Sequence, residues 1–143
     1  LRTTKIILII FFLAILGIQF VPVKLDNPPI KGQIQAPANI QKILKRSCYD
    51  CHSNTTNYPW YSRVAPVSWL IESDVQNGRK HLNFSEWSLY EPRTKRKKLD
   101  EIKEEIRDDK MPMEIYTYLH PSAQLSVDDK IQINRWVDQQ LGR

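Results

Sequence analysis

Ser47-Cys48-Tyr49-Asp50-Cys51-His52-Ser53 decides how the rest of the chain is read. The stretch holds both cysteines of the 143-residue sequence, with a histidine directly after the second. C-x-x-C-H is the attachment pattern of a c-type haem. The chemistry asks for that spacing: two thiols add across the two vinyl groups of the porphyrin, and the adjacent imidazole becomes an axial ligand of the iron. Cys48, Cys51 and His52 are therefore the candidate cofactor-binding residues, with His52 a candidate metal ligand. Three other readings use the same residues. A Cys48–Cys51 disulfide would close a loop too short to constrain the unfolded chain much. A thioredoxin-like pair needs a preceding strand and a βαβ setting, whereas the residues before Cys48 read as helix. A zinc site would need a fourth ligand from His81 or His120, at no familiar finger spacing.

Towards the N-terminus, Arg2 and Lys5 precede an apolar run from Ile6 to Val23 in which Gln19 is the polar exception. Those 18 residues span about 27 Å as a helix, just enough for a hydrocarbon core. No A-x-A cleavage pattern follows, and no cysteine sits there to accept a lipid. Residues 1–23 thus read as a signal-anchor segment, with a cleaved signal and a soluble periplasmic product as the alternative. Either way the positive end stays cytoplasmic and the remainder is exported, the side on which c-type haem is attached. The expected location is the cytoplasmic membrane, with the haem domain in the periplasm. Residues 24–37, with Pro28, Pro29, Gly32 and Pro37, read as a polyproline-like tether spacing the domain from the bilayer. The formal charge of +5 falls to +3 without Arg2 and Lys5. That mild basic excess, together with export, argues against a nucleic-acid partner.

Residues 38–143 form the expected haem-binding domain. Their apolar residues recur at three and four, as in helices. Ile40, Ile43 and Leu44 share one face of a first helix, with Asn39 as its N-cap. Pro66 opens a second helix with Val67, Leu70, Ile71 and Val75 inward, and Gly78 stops it. A third runs from about Thr94 to Asp108 on Leu99, Ile102 and Ile106. Its charges run basic first (Arg93 to Lys98) and acidic last, against the helix dipole. Ser126 caps a last helix with Ile133, Trp136 and Val137 inward. The expected fold is all-α around one covalently bound haem, with an N-terminal anchor helix ahead of it.

The second axial ligand decides what a haem protein does, since methionine opposite histidine favours an electron carrier and an open site allows ligand binding or peroxide chemistry. The candidates are Met111 and Met113, flanking Pro112, and then His81 and His120. A methionine before a proline, on a loop after a charged helix, can be aimed across a pocket. Methionine is also a common gap-filler in cores. His81 reads as a surface residue and His120 as a turn cap. Tyr58, Trp60, Tyr61, Trp69, Phe84, Trp87 and Tyr90 supply flat apolar rings for a porphyrin or for an ordinary core. Arg63 and Arg79 are candidates to pair with haem propionates.

The order of several motifs is familiar. The segment around Cys48–Asn54, then Tyr58-Pro59-Trp60-Tyr61, Ala65-Pro66-Val67-Ser68-Trp69-Leu70, Asn83-Phe84-Ser85-Glu86-Trp87, Lys110-Met111-Pro112, Tyr116, His120-Pro121, Leu125-Ser126 and Trp136 resemble the bacterial haem-binding domain family over residues 38 to 140. The resemblance implies a class-I-like cytochrome c fold and places Met111 at the family's Met-Pro position, ahead of Met113. Met113 itself departs from the family pattern, which carries a second proline there.

The expected function is a membrane-tethered monohaem c-type cytochrome carrying single electrons between membrane or periplasmic redox proteins, rather than an enzyme. Cys48 and Cys51 would hold the haem, with His52 and Met111 on the iron. The basic cluster from Arg93 to Lys98 is a candidate docking patch for an acidic partner. The rivals are a small haem peroxidase and a haem-based gas or redox sensor.

Overall fold

The apolar spacing after residue 38 resolves into six α-helices in the computed structural model, which describes residues 2–143. Leu1, the first residue of the expected anchor segment, lies outside the described residues. The helices are α2 (Ala38–Ser47), α3 (Tyr49–His52), α4 (Val67–His81), α5 (Pro92–Arg107), α6 (Glu114–Leu119) and α7 (Val127–Leu141). Short 3-10 turns occupy Trp60–Arg63, Phe84–Leu89 and Pro121–Ala123. No strand occurs among the described residues.

Helices α2, α5 and α7 pack their stripes together into one core. Leu44, Ile133 and Val137 are fully buried, joined by Ile40, Ile43, Leu99, Ile102, Ile106 and Trp136. Each fully buried aliphatic side chain contributes about 1.5–3 kcal/mol relative to exposure. Polar ties fix the register. Arg46 of α2 reaches Asp129 of α7 at 2.7 Å, and Lys103 of α5 reaches Asp138 of α7 at 2.6 Å. Ser126 opens α7 with a capping box, its hydroxyl accepting from Asp129 N–H while the Asp129 carboxylate accepts from Ser126 N–H. Gly142 closes it in the left-handed region at φ 71°.

Several boundaries differ from the sequence reading. Asn39 does not cap α2; that helix begins at Ala38 behind Pro37, and the Asn39 amide donates to Gln132 of α7. Pro66 precedes α4 rather than opening it. Gly78 does not stop α4, which runs on to His81, because this glycine serves a close approach rather than a turn. The reversed charge order of α5 is offset locally. Lys97 and Lys98 pair with Glu101, and the Arg96 guanidinium donates to the Leu141 carbonyl at the C-terminal end of α7.

The apolar N-terminal run forms α1 (Arg2–Ile18), and none of its residues is buried. It ends five residues short of Val23. Pro22 has no N–H to continue the helix, and the Gln19 amide is drawn to the domain: its nitrogen donates to the Ala65 carbonyl at 3.1 Å and its oxygen accepts from Ala65 N–H at 3.0 Å. Among the described residues no helix is long and apolar enough to cross a membrane.

Residues 24–37 are not a free spacer. Asn27 exchanges two hydrogen bonds with Thr56, Asn54 donates to the Pro29 carbonyl, and the N–H groups of Lys31, Gly32 and Ile34 bond to the carbonyls of Ser85 and Phe84. Ile34 enters the core at 2% exposure. Proline richness suits extended chain, but the polar side chains between the prolines decide where it lies. This segment is a strap laid along the domain.

Candidate functional site

Cys48 breaks the helical path between α2 and α3, with φ −129°, so it caps a short helix that holds the rest of the C-x-x-C-H motif, Tyr49–His52. That helix is the hub of the domain, packing on α2, α4 and the Phe84–Leu89 turn. Its closest neighbour is α4. A Cβ on Gly78 would lie 2.5 Å from the Cys51 carbonyl oxygen and 3.0 Å from its carbon. Only glycine lets the two backbones meet at this distance.

His52 is oriented from the same helix. Its Nδ1 lies 3.0 Å from the Gly78 carbonyl and 3.1 Å from the Leu82 carbonyl. Both partners are acceptors, so Nδ1 carries the proton and Nε2 keeps its lone pair. Burial also pushes the imidazole pKa below its ordinary value, which keeps the ring neutral. Phe84 packs edge-on against it, with ring centroids 6.4 Å apart. A neutral imidazole with one nitrogen fixed by backbone is a pre-oriented metal ligand.

The thiols argue against the two redox and metal alternatives. Burial pushes Cys48 up to about 12 and Cys51 up to about 11, the reverse of the low-pKa cysteine a disulfide-exchange site uses. Neither cysteine is bonded to the other. Among the described residues no group of three or more His, Cys, Asp or Glu side chains is placed to hold a metal ion. His81 bonds its own helix at Asn77 on the surface, as the sequence suggested.

Cys51 forms part of a cleft of about 90 Å³. One wall is the stripe of α4: Val67, Leu70, Ile71 and Val75. The sequence reading placed all four inward, but only Val75 is buried, while Leu70 is 53% exposed. They face the cleft rather than the core. The opposite wall comes from the segment around α6, with Met113, Ile115, Tyr116, Leu119 and His120. Tyr58 and Tyr61 complete it. Met113, not Met111, is among the lining residues; Met111 is half-buried beside it, its N–H bonded to the Glu105 carbonyl.

A chain of polar contacts closes the cleft onto the motif. The Tyr116 hydroxyl donates to the Asp50 carboxylate at 2.6 Å, and the other Asp50 oxygen accepts from Asn57 N–H at 3.0 Å. His120 stacks on Tyr116 with centroids 4.5 Å apart and meets the Tyr61 hydroxyl at 2.9 Å through Nε2. Its Nδ1 bonds the Tyr116 carbonyl, which fits the turn-capping role read from the sequence. Asp50 lies inside the C-x-x-C-H motif and Tyr116 belongs to the family pattern, but the sequence reading assigned neither a role; their tie appears only when α6 folds over α3.

The remaining candidates divide clearly. Phe84 and Trp87 belong to the core side, and the Tyr90 hydroxyl accepts a hydrogen bond from Asn83 N–H. Arg79 is already engaged, donating to the carbonyls of Ser53 and Asp26, to Asn27 and to Thr56. It orders the loop after the motif. Arg63 is exposed. Trp69, on the helix that walls the cleft, has an indole N–H buried without a protein partner.

Of the motif residues Cys51 lines this apolar cleft, whereas Cys48 packs against the core and His52 against Phe84. Two thiols and a neutral imidazole with a free lone pair are donors suited to a metallocofactor. The fold is all-helical among the described residues, and the donor set is of a kind that haem binding uses. The sequence profile of the haem-binding domain family matches residues 13–139, and the chain belongs to that family. No curated protein and no solved structure matches the chain.

Proposed function

We propose that the protein is a monohaem c-type cytochrome, held at the outer face of the cytoplasmic membrane by α1, that carries single electrons between membrane or periplasmic redox proteins. The observation that carries the reading is His52: two backbone carbonyls hold its Nδ1–H and leave Nε2 as a ligand, one residue from Cys51. Cys48 and Cys51 would form the thioether links. A bound haem supplies a ferric–ferrous couple. The residues of the chain do the rest: α4 fixes the imidazole, the apolar cleft excludes water, and the Asp50–Tyr116 contact holds the methionine-bearing segment over the motif.

The resemblance assigns Met111 as the second ligand. Met113 is a second reading, favoured by its place in the cleft wall. Either sulfur makes a six-coordinate carrier, whereas a peroxidase or gas sensor needs an open position. The test is an absorption spectrum of protein made with a c-type maturation system, in both oxidation states, for wild type, Met111→Ala and Met113→Ala. A ferric sulfur-to-iron band lost in only one variant identifies the ligand. Absence of that band in the wild type, with ready binding of carbon monoxide to the ferrous form, refutes the carrier. Absence of covalent haem refutes the c-type reading.

The membrane reading rests on α1. Ile6 to Leu13 are each more than half exposed, so nothing in the domain covers them. Arg2 and Lys5 mark the cytoplasmic end.

A further inference from the structure

Helix α1 is short for a bilayer. Its apolar part, Ile6–Ile18, rises about 20 Å against a hydrocarbon core of about 30 Å. The backbone continues as turns, with Gln19, Phe20 and Val21 N–H groups bonded to Leu16, Gly17 and Ile18 carbonyls, which adds a little length. Immediately there the chain is fastened to the domain. Gln19 holds both backbone groups of Ala65, within 3.1 Å.

Exposed apolar side chains flank that junction along the sequence of both joined segments. Phe20 is 87% exposed and Trp60 is 80% exposed; Val21 and Val64 are also exposed. In the 3-10 turn Trp60–Arg63 residues three apart eclipse, so Trp60 and Arg63 share one face while Ser62 is buried. Neither Trp60, Arg63 nor Val64 lines the cleft, so a cofactor there leaves them uncovered. An exposed indole beside a guanidinium and aliphatic side chains is the composition of a membrane interface.

We infer that the domain face formed by Trp60, Arg63 and Val64, continued by Phe20 and Val21, sits in the bilayer interface, latched there by Gln19. The inference rests on the membrane placement of α1 proposed above. Submerging this face supplies apolar depth that α1 lacks, which is one way a short hydrophobic segment is accommodated. Arg63 then meets lipid phosphates. Because Val67 begins α4 three residues after Val64, the same contact fixes how the cleft is presented relative to the membrane plane.

The test uses the full-length holoprotein in phosphatidylethanolamine–phosphatidylglycerol vesicles containing a phospholipid with a diazirine near its glycerol. After flotation and irradiation, lipid-modified peptides are mapped by mass spectrometry. The expected result is modification of α1 and also of the peptide carrying Trp60–Val64. In Gln19→Ala, modification of the Trp60–Val64 peptide falls several-fold while that of α1 is retained. Labelling of α1 without the Trp60–Val64 peptide overturns the docked face but leaves the membrane anchor standing. Unchanged labelling in Gln19→Ala overturns the latch. Failure of the wild type to float with vesicles overturns both the docked face and the membrane reading.

Discussion

Gly78→Ala sets helix propensity against packing, and the structure fixes the sign. In an exposed helix interior this change would stabilise by about 1 kcal/mol, since glycine is the poorer helix former. Here the added methyl would lie 2.5 Å from the Cys51 carbonyl oxygen, 3.0 Å from the carbon and 3.1 Å from Cys51 Cβ. The nearest atoms are backbone, so no side chain can rotate away. Relief requires α3 and α4 to part by roughly 0.5–1 Å, and overpacking of this kind costs about 1–3 kcal/mol. Contacts with an immovable backbone belong at the upper end, leaving a net loss of about 2 kcal/mol after the propensity gain. The same movement stretches the His52 Nδ1 bond to the Gly78 carbonyl, now 3.0 Å. Urea denaturation of the holoprotein, followed by far-ultraviolet circular dichroism, measures the loss. A variant as stable as the wild type, or more stable, refutes the claim that α4 meets the motif backbone to backbone.

Tyr116→Phe removes a 2.6 Å hydrogen bond to Asp50 and should cost about 1.5–3 kcal/mol in the same denaturation assay, the range for bonds to charged groups. Ser126→Ala deletes the capping box of α7 and should cost about 1 kcal/mol, seen as a drop of roughly 4 °C in Tm. Burial alone would raise the Asp129 pKa, but Ser126 and the Arg46 guanidinium hold it below its ordinary 3.8. A folded value below the unfolded one gives stability that is complete above pH 3.8 and is lost as pH falls through the folded value. Asp129→Asn should therefore flatten the stability profile below about pH 4, measured by denaturation at several pH values.

Legibility followed the range of the interaction. The motif, the buried stripes of α5 and α7 and the Ser126 cap were readable because each depends on residues three or four apart. Asn39 and Gly78 were misread because their roles are long-range: one binds Gln132 on α7, the other makes room for Cys51. The stripe of α4 was correctly seen as apolar, but periodicity cannot tell a face turned to a core from one turned to a cleft. The strap over 24–37 was hidden for a related reason. Prolines announced extended chain, while Asn27, Asn54 and Arg79, which set its course, lack any local pattern. The methionine segment was readable as a pair of candidates, and folding places Met113 rather than Met111 among the residues of the cleft wall.

Arg79 gives the strap a meaning for where the folding unit begins. One guanidinium, from the last turn of α4, ties the Ser53 carbonyl and Thr56 on one side to the Asp26 carbonyl and Asn27 on the other. A fragment trimmed to start at residue 38 would strip partners from this cation, from Asn54 and from the carbonyls of Phe84 and Ser85, and would uncover the core beneath Ile34. A fragment starting at Lys24 would keep every one of them. The smallest piece able to mature independently therefore includes the strap, and cleavage between α1 and Lys24 would release the domain whole.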